Sequence, residues 1–461
     1  MKHFLVKQIN RVDFKTALEL FMLLSLLVVW IVWPLRGTIA ARNIALVLGS
    51  ISSIAWLSIE RPKFVMMDLL PIGFLLCVPV WLLSLYIFNP IASYLQWDDL
   101  RGTWLRVVIG IIFATGLAAL INKNEKYSTF FICVISIWPV VYFLSYVANI
   151  YQNDIWISRN FNGMFKSKIA IVYFLMWPIL FITSYFHLDL ARSNKKNLLI
   201  NRTLFFVLFL SVLGYLIINA LNGFLLLFFI GIIFIIVYIR FARISSAINY
   251  KKIILFGLLS ALFLVNIFYL DTVYSGKKLQ YLFHDLYFIV ALDDSGAWKW
   301  IGGQPPYPIN PLTAQLVSGS TYERFAWFLE GVKLLVANPE GTGFTGQAFH
   351  YLMDKTYHGS EATKTHSGWL DFALGVGIPG LLCIWAALFL MLKRACQFII
   401  NSRIYDWKPF LVFWVVCGTW FLWIFGELSD REYIENYFFC IAFVSLLTVN
   451  QNIFYRVDNQ H

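Results

Sequence analysis

One histidine in this chain stands where a long apolar segment begins. His366 lies three residues before Trp369, at the start of that segment. Because the ordinary pKa of histidine is about 6.5, its ring is mostly neutral near neutral pH and can take a proton from a hydroxyl nucleophile. A histidine at such a boundary can also be a polar anchor, so both interpretations remain open. The same polar stretch holds three other candidate bases, Glu323, Glu330 and Glu361.

Two arginines are candidates for binding a phosphate group. Arg324 follows Ser320–Glu323, which fits a capping box, and we expect it near the start of a helix that ends at Asn338–Pro339. Arg159 lies in a second polar segment, residues 149–167. A guanidinium group binds phosphate through two parallel hydrogen bonds, although either residue could also be a surface cation.

Glycines follow the expected helix. Gly341, Gly343 and Gly346 permit a sharp turn whose backbone N–H groups could face an anion, although the spacing alone favours an ordinary tight turn. A second cluster, Gly375–Gly380, lies inside the next apolar segment. Glycine and proline there indicate a helix kink or close helix packing.

The remaining polar residues do not indicate a metal site. His350, His358 and His366 recur every eight residues, which is not the spacing of a helical ligand pair, and no Cys or carboxylate pattern accompanies them. The acidic pairs Asp98–Asp99 and Asp293–Asp294 could bind a divalent ion with phosphates, but we interpret them as solvated surface. We therefore predict no metal and no cofactor.

Composition identifies the class of protein. Hydrophobic residues make up 60% of the 461 residues, charged residues 13%, and mean hydropathy is +0.71. A soluble protein of this size could not bury so much apolar surface, which excludes a soluble enzyme. The six cysteines lie in or beside apolar segments and indicate no disulfide framework. The net charge of +11 is assigned to loops beside a membrane, and nucleic acid is not an expected partner.

Apolar segments long enough to cross a bilayer occur along most of the chain. A spanning helix needs about 20 mostly apolar residues. This length predicts an all-α integral membrane protein with about twelve transmembrane helices. The predicted spans are residues 17–35, 43–59, 68–88, 104–121, 128–148, 168–187, 203–221, 223–239, 253–270, 369–392, 409–426 and 436–454.

The distribution of Lys and Arg predicts the orientation. With the N-terminus inside, the cytoplasmic segments hold 21 of these residues, the short outer loops 8 and the long loop 7. Long loops count little in the positive-inside rule, so both termini are expected in the cytoplasm. The chain is thereby predicted to consist of three parts: transmembrane helices one to nine in residues 1–270, a large periplasmic loop in residues 271–368, and transmembrane helices ten to twelve with the cytoplasmic C-terminus in residues 369–461. The aromatic residues and leucines of the loop favour a folded cap on the membrane surface.

In combination, these motifs resemble the O-antigen ligase and polymerase superfamily. The family pattern runs Arg…Trp…Pro-x-Gly-x-Gly…His…Gly-x-x-Gly. This chain has Arg324 with Trp327, then Pro339–Gly343, then His366 followed by Gly375–Gly380. One dominant outer loop looks most like the ligase branch, because polymerases divide their functional residues between two sizeable outer loops.

The resemblance implies a glycosyltransferase of the Gram-negative bacterial inner membrane, active on the periplasmic face in lipopolysaccharide biosynthesis. The donor would be an O-antigen glycan on undecaprenyl diphosphate, and the acceptor a sugar of the lipid A–core. His366 would be the general base. Arg324 would act in catalysis and would hold the lipid diphosphate together with Arg159, Gly341 and Gly343. Because diphosphate is a good leaving group, neither ATP nor a metal would be needed.

Two other functions remain open. A polymerase would use the same donor chemistry on a different acceptor. A transporter or flippase of lipid-linked glycans usually has ionisable residues inside its spans, whereas these spans are nearly free of charge. Relatives also carry a Ser-Arg-Gly-like motif near Asn222, where this chain has no cation. Arg159, Arg36 or Arg42 is expected to replace that arginine.

Overall fold

The computed structural model describes residues 2–124, 126–153, 161–192, 198–218, 220–245, 278–291, 296–299, 307–312, 314–317, 319–401, 406–426 and 429–448. The described chain is mostly helical. Its helices are α1 Lys2–Val32, α2 Ile39–Glu60, α3 Met66–Phe88, α4 Ser93–Asp99, α5 Leu105–Lys123, α6 Lys126–Ile135, α7 Ile137–Asn153, α8 Lys168–Arg192, α9 Leu198–Ile218, α10 Leu221–Ser245, α11 Lys278–Ala291, α12 Gly319–Ala337, α13 Ala348–Thr356, α14 Gly368–Asn401, α15 Trp407–Phe425 and α16 Arg431–Ser445. A π-helical turn, Leu100–Trp104, joins α4 to α5, and a short antiparallel hairpin pairs Ile309–Asn310 (β1) with Gln315–Leu316 (β2).

The all-α membrane class is confirmed. In the described part of the chain, eight helical segments are long and apolar enough to cross a membrane. Two shorter apolar helices, Arg202–Ile218 and Asn222–Val237, lie at the predicted spans 203–221 and 223–239. The eight segments are Phe14–Val32, Ile39–Glu60, Met66–Phe88, Ser93–Lys123, Lys126–Gln152, Lys168–Tyr185, Gly368–Ile400 and Trp407–Phe425.

The total of twelve transmembrane helices stays a prediction. The predicted span 253–270 lies outside the described residues. The span predicted at 128–148 is divided between α6 and α7 by a turn at Ser136. The last predicted span, 436–454, is helical to Ser445 and is described only to residue 448.

The helix α16 lies inside the bundle and is enclosed by other helices. Every side chain in Tyr433–Ser445 is buried. The ring of Phe439 lies 5.3 Å from that of Trp33 and 5.4 Å from that of Phe113, measured between centroids. Because protein covers all of its faces, α16 tolerates polar residues that have partners. Asn436, for example, accepts a hydrogen bond of 2.9 Å from a tyrosine hydroxyl of α8.

We call the described residues between 278 and 367 the cap, and the end of the bundle beside them the cap face. Within the cap, Asn310 of β1 donates a hydrogen bond of 3.1 Å to Asp285 of α11. Helix α12 ends at Ala337, which confirms the stop predicted from Asn338–Pro339. Its predicted beginning is wrong, because Ser320 lies inside the helix and not at its N-cap.

The long helix α14 is broken at Gly377, so the kink predicted from the Gly/Pro cluster is confirmed. Gly377 has φ 70° and ψ 177°, a backbone conformation that favours glycine. The part before the break, Gly368–Val376, is buried throughout, whereas Ile378 directly after it is exposed. At the break, the carbonyl of Val376 accepts a hydrogen bond of 2.9 Å from Trp81 Nε1 of α3.

Candidate functional site

The glycine loop, residues 341–346, lies against the break in α14. Thr342 N and Gly343 N each donate a hydrogen bond of 2.9 Å, to the carbonyls of Leu374 and Gly375 respectively. These two bonds bring the backbone of the loop into direct contact with the backbone of α14 just before its break. The loop is therefore fixed on the buried first part of α14.

The geometry corrects the role predicted for Gly341 and Gly343 as a diphosphate cradle. Gly341 N donates to Asn338 O at 3.0 Å, Gly343 N is bonded to α14, and both residues are buried. The N–H groups of these two glycines are thus already used within the protein. A side chain at Gly341 would place its Cβ 2.2 Å from Gly377 N. These glycines serve close backbone packing, as in the ordinary tight turn that the sequence also allowed.

Asp99, the last residue of α4, anchors the glycine loop through Thr345. Its Oδ2 accepts hydrogen bonds from Thr345 N at 2.7 Å and Thr345 Oγ1 at 2.8 Å. Trp104 Nε1 and Thr103 Oγ1 donate to the same carboxylate at 3.0 and 2.7 Å. Because Asp99 is buried and fully bonded, the interpretation of Asp98–Asp99 as solvated surface is wrong for Asp99.

His366 combines an uncommon backbone conformation with a stacked ring. Its φ is 61°, in the left-handed region, where a non-glycine residue is strained by roughly 1–3 kcal/mol. Its half-buried ring stacks on Trp327 of α12, with 5.4 Å between centroids and 10° between planes. Such strain persists only where neighbours impose it, and it clusters at functional sites.

Neighbouring helices impose the conformation of the His366 segment. Lys364 Nζ lies 2.6 Å from Asp430 Oδ1, directly before α16. Thr365 N donates a hydrogen bond of 2.8 Å to Asp371 Oδ1, in the first turn of α14. The two residues that precede His366 are thus attached to the starts of two different helices, α16 and α14. The backbone at His366 turns through the left-handed region to connect them to α14.

Asp430 joins the cap to a second loop of the cap face. Besides Lys364, it pairs with Lys166, whose Nζ lies 3.3 Å from Asp430 Oδ2. Burial raises the pKa of Asp430, but the two ammonium groups outweigh burial, and the pKa falls below its ordinary value. Asp430 is therefore ionised at neutral pH, and its pair with Lys364 connects the segment before His366 to the start of α16.

Arg324 lies on α12 one turn before Trp327. Arg324 is exposed, whereas Trp327 is buried beneath His366. Because residues three apart in a helix are neighbours on its surface, the guanidinium group belongs to the same end of α12 as the Trp327–His366 stack. The structure thus places Arg324 and His366 on two elements that contact each other. Arg159, the other predicted phosphate ligand, lies outside the described residues.

The other candidate bases differ in their surroundings. Glu330 is buried and accepts a hydrogen bond of 3.0 Å from the hydroxyl of Tyr357. Glu323 accepts a hydrogen bond from Tyr307. Burial and then the bond to Glu330 raise the pKa of Tyr357 to about 12, and the bond to Glu323 raises that of Tyr307 to about 12. These two carboxylates are occupied with phenolic protons, whereas Glu361 is exposed at the surface.

Relatives carry an arginine near the position of Asn222, and Arg42 and Arg36 are two described candidates to replace it. The side chain of Asn222 donates a hydrogen bond of 2.8 Å to the last carbonyl of α15. Arg42 is buried with its Nε 3.2 Å from Glu435, so it neutralises a buried carboxylate and does not face the surface. Arg36 is exposed and donates a hydrogen bond of 2.7 Å to Lys166 O. Of these two candidates, Arg36 is therefore the one that is accessible to a ligand.

Metal ligands are not grouped in the part of the chain that the structure describes, where no three His, Cys, Asp or Glu side chains could hold one ion. His350 lies with its Nδ1 3.2 Å from Ala362 O. No protein-family model matches the chain, and no curated protein is significantly similar to it in sequence.

Proposed function

We propose that the protein is a membrane glycosyltransferase that moves a glycan from a polyprenyl diphosphate to a sugar hydroxyl. In its specific form, the donor is an O-antigen glycan on undecaprenyl diphosphate and the acceptor is a lipid A–core sugar, at the periplasmic face of a Gram-negative inner membrane. The single observation that carries the proposal is His366, a strained histidine stacked on Trp327 at the start of a membrane helix. Arg324 is exposed on α12, one turn before Trp327, and it supplies the positive charge that a diphosphate donor needs.

The proposed reaction is a direct displacement at C1 of the donor sugar. His366 takes the proton of the acceptor hydroxyl while the hydroxyl oxygen forms a bond to C1. The bond from C1 to the diphosphate oxygen breaks, and its electron pair leaves with the diphosphate. The transition state resembles an oxocarbenium ion, so negative charge develops on the leaving group. Arg324 offsets this charge, and no ATP is consumed.

The proposed orientation puts the cap face in the periplasm. The distribution of Lys and Arg supports it, with 21 in the predicted cytoplasmic segments and 8 in the short outer loops. A reporter that is active only in the periplasm should be active when fused after Ser318 and inactive when fused after Lys196. The reverse pattern would place the cap in the cytoplasm and would refute the proposed reaction.

Purified protein supplied with lipid-linked glycan tests the activity and separates it from its alternatives. Glycan appearing on lipid A–core supports a ligase. Glycan appearing only on a second lipid-linked repeat unit supports a polymerase. Movement of the intact lipid-linked glycan across a vesicle membrane, with no new glycosidic bond, supports a flippase and refutes the transferase.

A further inference from the structure

Glu435, near the start of α16, lies between two arginines at the cap face. Arg106 Nε of α5 donates a hydrogen bond of 2.6 Å to Glu435 Oε1, and Arg42 Nε of α2 lies 3.2 Å from Oε2. The side chains of Glu435, Arg42 and Arg106 are 1%, 3% and 16% exposed. Buried charges are ordinarily paired. Here one carboxylate faces two guanidinium groups, so a positive charge in excess lies away from bulk water.

Asp98 lies between two further arginines of the same region. It accepts a hydrogen bond of 2.6 Å from Nη2 of Arg431, the first residue of α16, and one of 3.1 Å from Arg101 Nη2. Asp99 also interacts with the charge of Arg431, and its own hydrogen bonds come from neutral donors. Four arginines thus face three carboxylates, which leaves this cluster with a net positive charge.

The other acidic residues at the start of α16 do not remove this charge. Asp430 pairs with Lys166 and Lys364, and Glu432 lies 3.7 Å from Lys166. These two carboxylates and two ammonium groups balance each other. The positive charge of the arginines therefore remains available to an anionic ligand.

Gly102, in the π-helical turn before α5, leaves a space beside two of these arginines. A Cβ at Gly102 would lie 3.5 Å from Arg431 Nη1 and 3.9 Å from Arg106 Nη2, and its three nearest neighbours all belong to these two guanidinium groups. The carboxylates are bonded to Arg431 Nη2 and Arg106 Nε instead. Among the described residues, neither Arg431 Nη1 nor Arg106 Nη2 has a hydrogen-bond acceptor. Two guanidinium groups thus bring unused N–H donors to the same point.

A phosphate group fits this arrangement. Its oxygens point in several directions, so it can accept hydrogen bonds from two guanidinium groups at the same time, and such charge-assisted bonds are strong. Its negative charge offsets the excess positive charge of the cluster. The missing side chain at Gly102 provides the room for it.

Exposed side chains on both sides of Gly102 place the arginines near the boundary of the bilayer. Trp97, 48% exposed, stacks on Tyr86 with 5.7 Å between ring centroids, and both residue types are enriched at membrane–water interfaces. Leu105, 54% exposed, follows Gly102 within the apolar segment Ser93–Lys123. A phosphate at Gly102 would thus lie where lipid head groups meet hydrocarbon chains.

We propose that Arg106 and Arg431 bind a phosphate group in the space over Gly102. The phosphate belongs to a lipid head group or to a soluble phosphate compound, since both present the same chemistry to the two guanidinium groups. Neither arginine belongs to the motifs that carry the proposed glycan transfer, and the inference does not rest on that reaction.

Ligand binding by the full-length protein in detergent tests the inference. Dissociation constants are measured at low ionic strength for inorganic diphosphate and for dioctanoyl phosphatidic acid, with dioctanoylglycerol as the phosphate-free control. The variants are Arg431→Gln, which removes one donor, and Gly102→Ala, which fills part of the space without changing the charge. The matched control is Arg101→Gln, because Arg101 shares Asp98 with Arg431 but is not among the nearest neighbours of a Cβ at Gly102.

We expect Arg431→Gln to weaken binding roughly 10–100-fold and Arg101→Gln to retain most of the affinity. Gly102→Ala should also weaken binding, whereas its unfolding temperature should not fall, because alanine favours helical backbone more than glycine does. Tighter binding of phosphatidic acid than of diphosphate would identify a lipid as the ligand, and equal or tighter binding of diphosphate would identify a soluble compound.

Three results would overturn the inference. Wild-type protein that binds neither phosphate probe has no such site. Equal losses of affinity in Arg431→Gln and Arg101→Gln would indicate diffuse attraction to surface charge. Wild-type affinity in Gly102→Ala would place the ligand elsewhere. Gel filtration in detergent checks that each variant is folded.

Discussion

Exchanging His366 for glycine and for alanine separates its chemical role from its structural one. Both exchanges remove the imidazole ring and the stack on Trp327, which contributes about 0.5–1.5 kcal/mol. They differ in the backbone. His366 has a φ of 61°, which alanine adopts only with strain and glycine adopts freely.

The expected difference in stability follows from two backbone terms. Alanine in the left-handed region is disfavoured by roughly 1–2 kcal/mol. Glycine avoids this strain but loses more conformational entropy on folding, about 0.5–1 kcal/mol. The His366→Gly variant should therefore unfold at a higher temperature than His366→Ala, with a free energy of unfolding greater by about 0.5–1 kcal/mol. Thermal unfolding of both variants in the same detergent measures this difference.

The rate of glycan transfer by the two variants should not follow the order of their stability. If His366 is the general base, both variants should transfer glycan roughly 10²–10⁴-fold more slowly, with donor binding little changed. A folded variant with near wild-type turnover would refute the base role and move it to Glu323, Glu330 or Glu361. A lower unfolding temperature for the glycine variant than for the alanine variant would refute the left-handed backbone.

Three further predictions concern the residues around this histidine. Arg324→Ala should slow glycan transfer, and Arg324→Lys should be faster than the alanine variant but slower than wild type, because lysine keeps the charge but lacks the planar guanidinium group. Normal turnover by folded Arg324→Ala would contradict the role of Arg324 in binding the diphosphate. Gly341→Ala should destabilise the protein by more than the roughly 1–2 kcal/mol of left-handed strain, since its Cβ meets backbone. Gly73→Ala is the control: nothing lies within 4 Å of its Cβ and its backbone is helical, so the unfolding temperature should not fall and should rise slightly, because alanine favours a helix more than glycine does. The ion pairs of Asp430 should stabilise the protein above its unfolded pKa of about 4 and lose this effect as pH falls through the lower folded pKa. The stability difference between wild type and Asp430→Asn should accordingly shrink from pH 6 to pH 3, and a constant difference would contradict the lowered pKa.

The parts of the fold that the sequence predicted depend on local signals. The stop of α12 follows from Asn338–Pro339, because proline disfavours helical backbone in the residue before it. The break in α14 follows from glycine and proline at 377–380. Apolar segments of sufficient length predicted most of the membrane helices. The predicted span 128–148 lies within Lys126–Gln152, which is long and apolar enough to cross a membrane. The turn at Ser136 inside it was not predicted, because no glycine or proline marks it.

The parts that the sequence did not predict depend on contacts between distant positions. Asp99 resembles any acidic residue of a loop until it is placed beside Thr345, which is 246 positions away. The glycine loop likewise has the composition of an anion-binding turn, and only its contacts with Asn338, α14 and Asp99 show that four of its N–H donors are occupied. The left-handed conformation of His366 could not be predicted from the sequence, because histidine, although enriched in this region relative to most residues, adopts it only occasionally.

The energetics of the contacts around His366 indicate which of them fixes its backbone. The ion pair of Lys364 with Asp430 is partly solvated, with side chains 18% and 27% exposed, and such pairs contribute little. The hydrogen bond from Thr365 N to Asp371 is buried, and leaving either partner unsatisfied would cost about 1–3 kcal/mol. That range is comparable with the strain at His366, so the buried bond alone can hold the left-handed turn. Since Asp371 belongs to the buried first part of α14, the histidine is fixed to the membrane helix, and α12 only supplies the surface on which its ring rests.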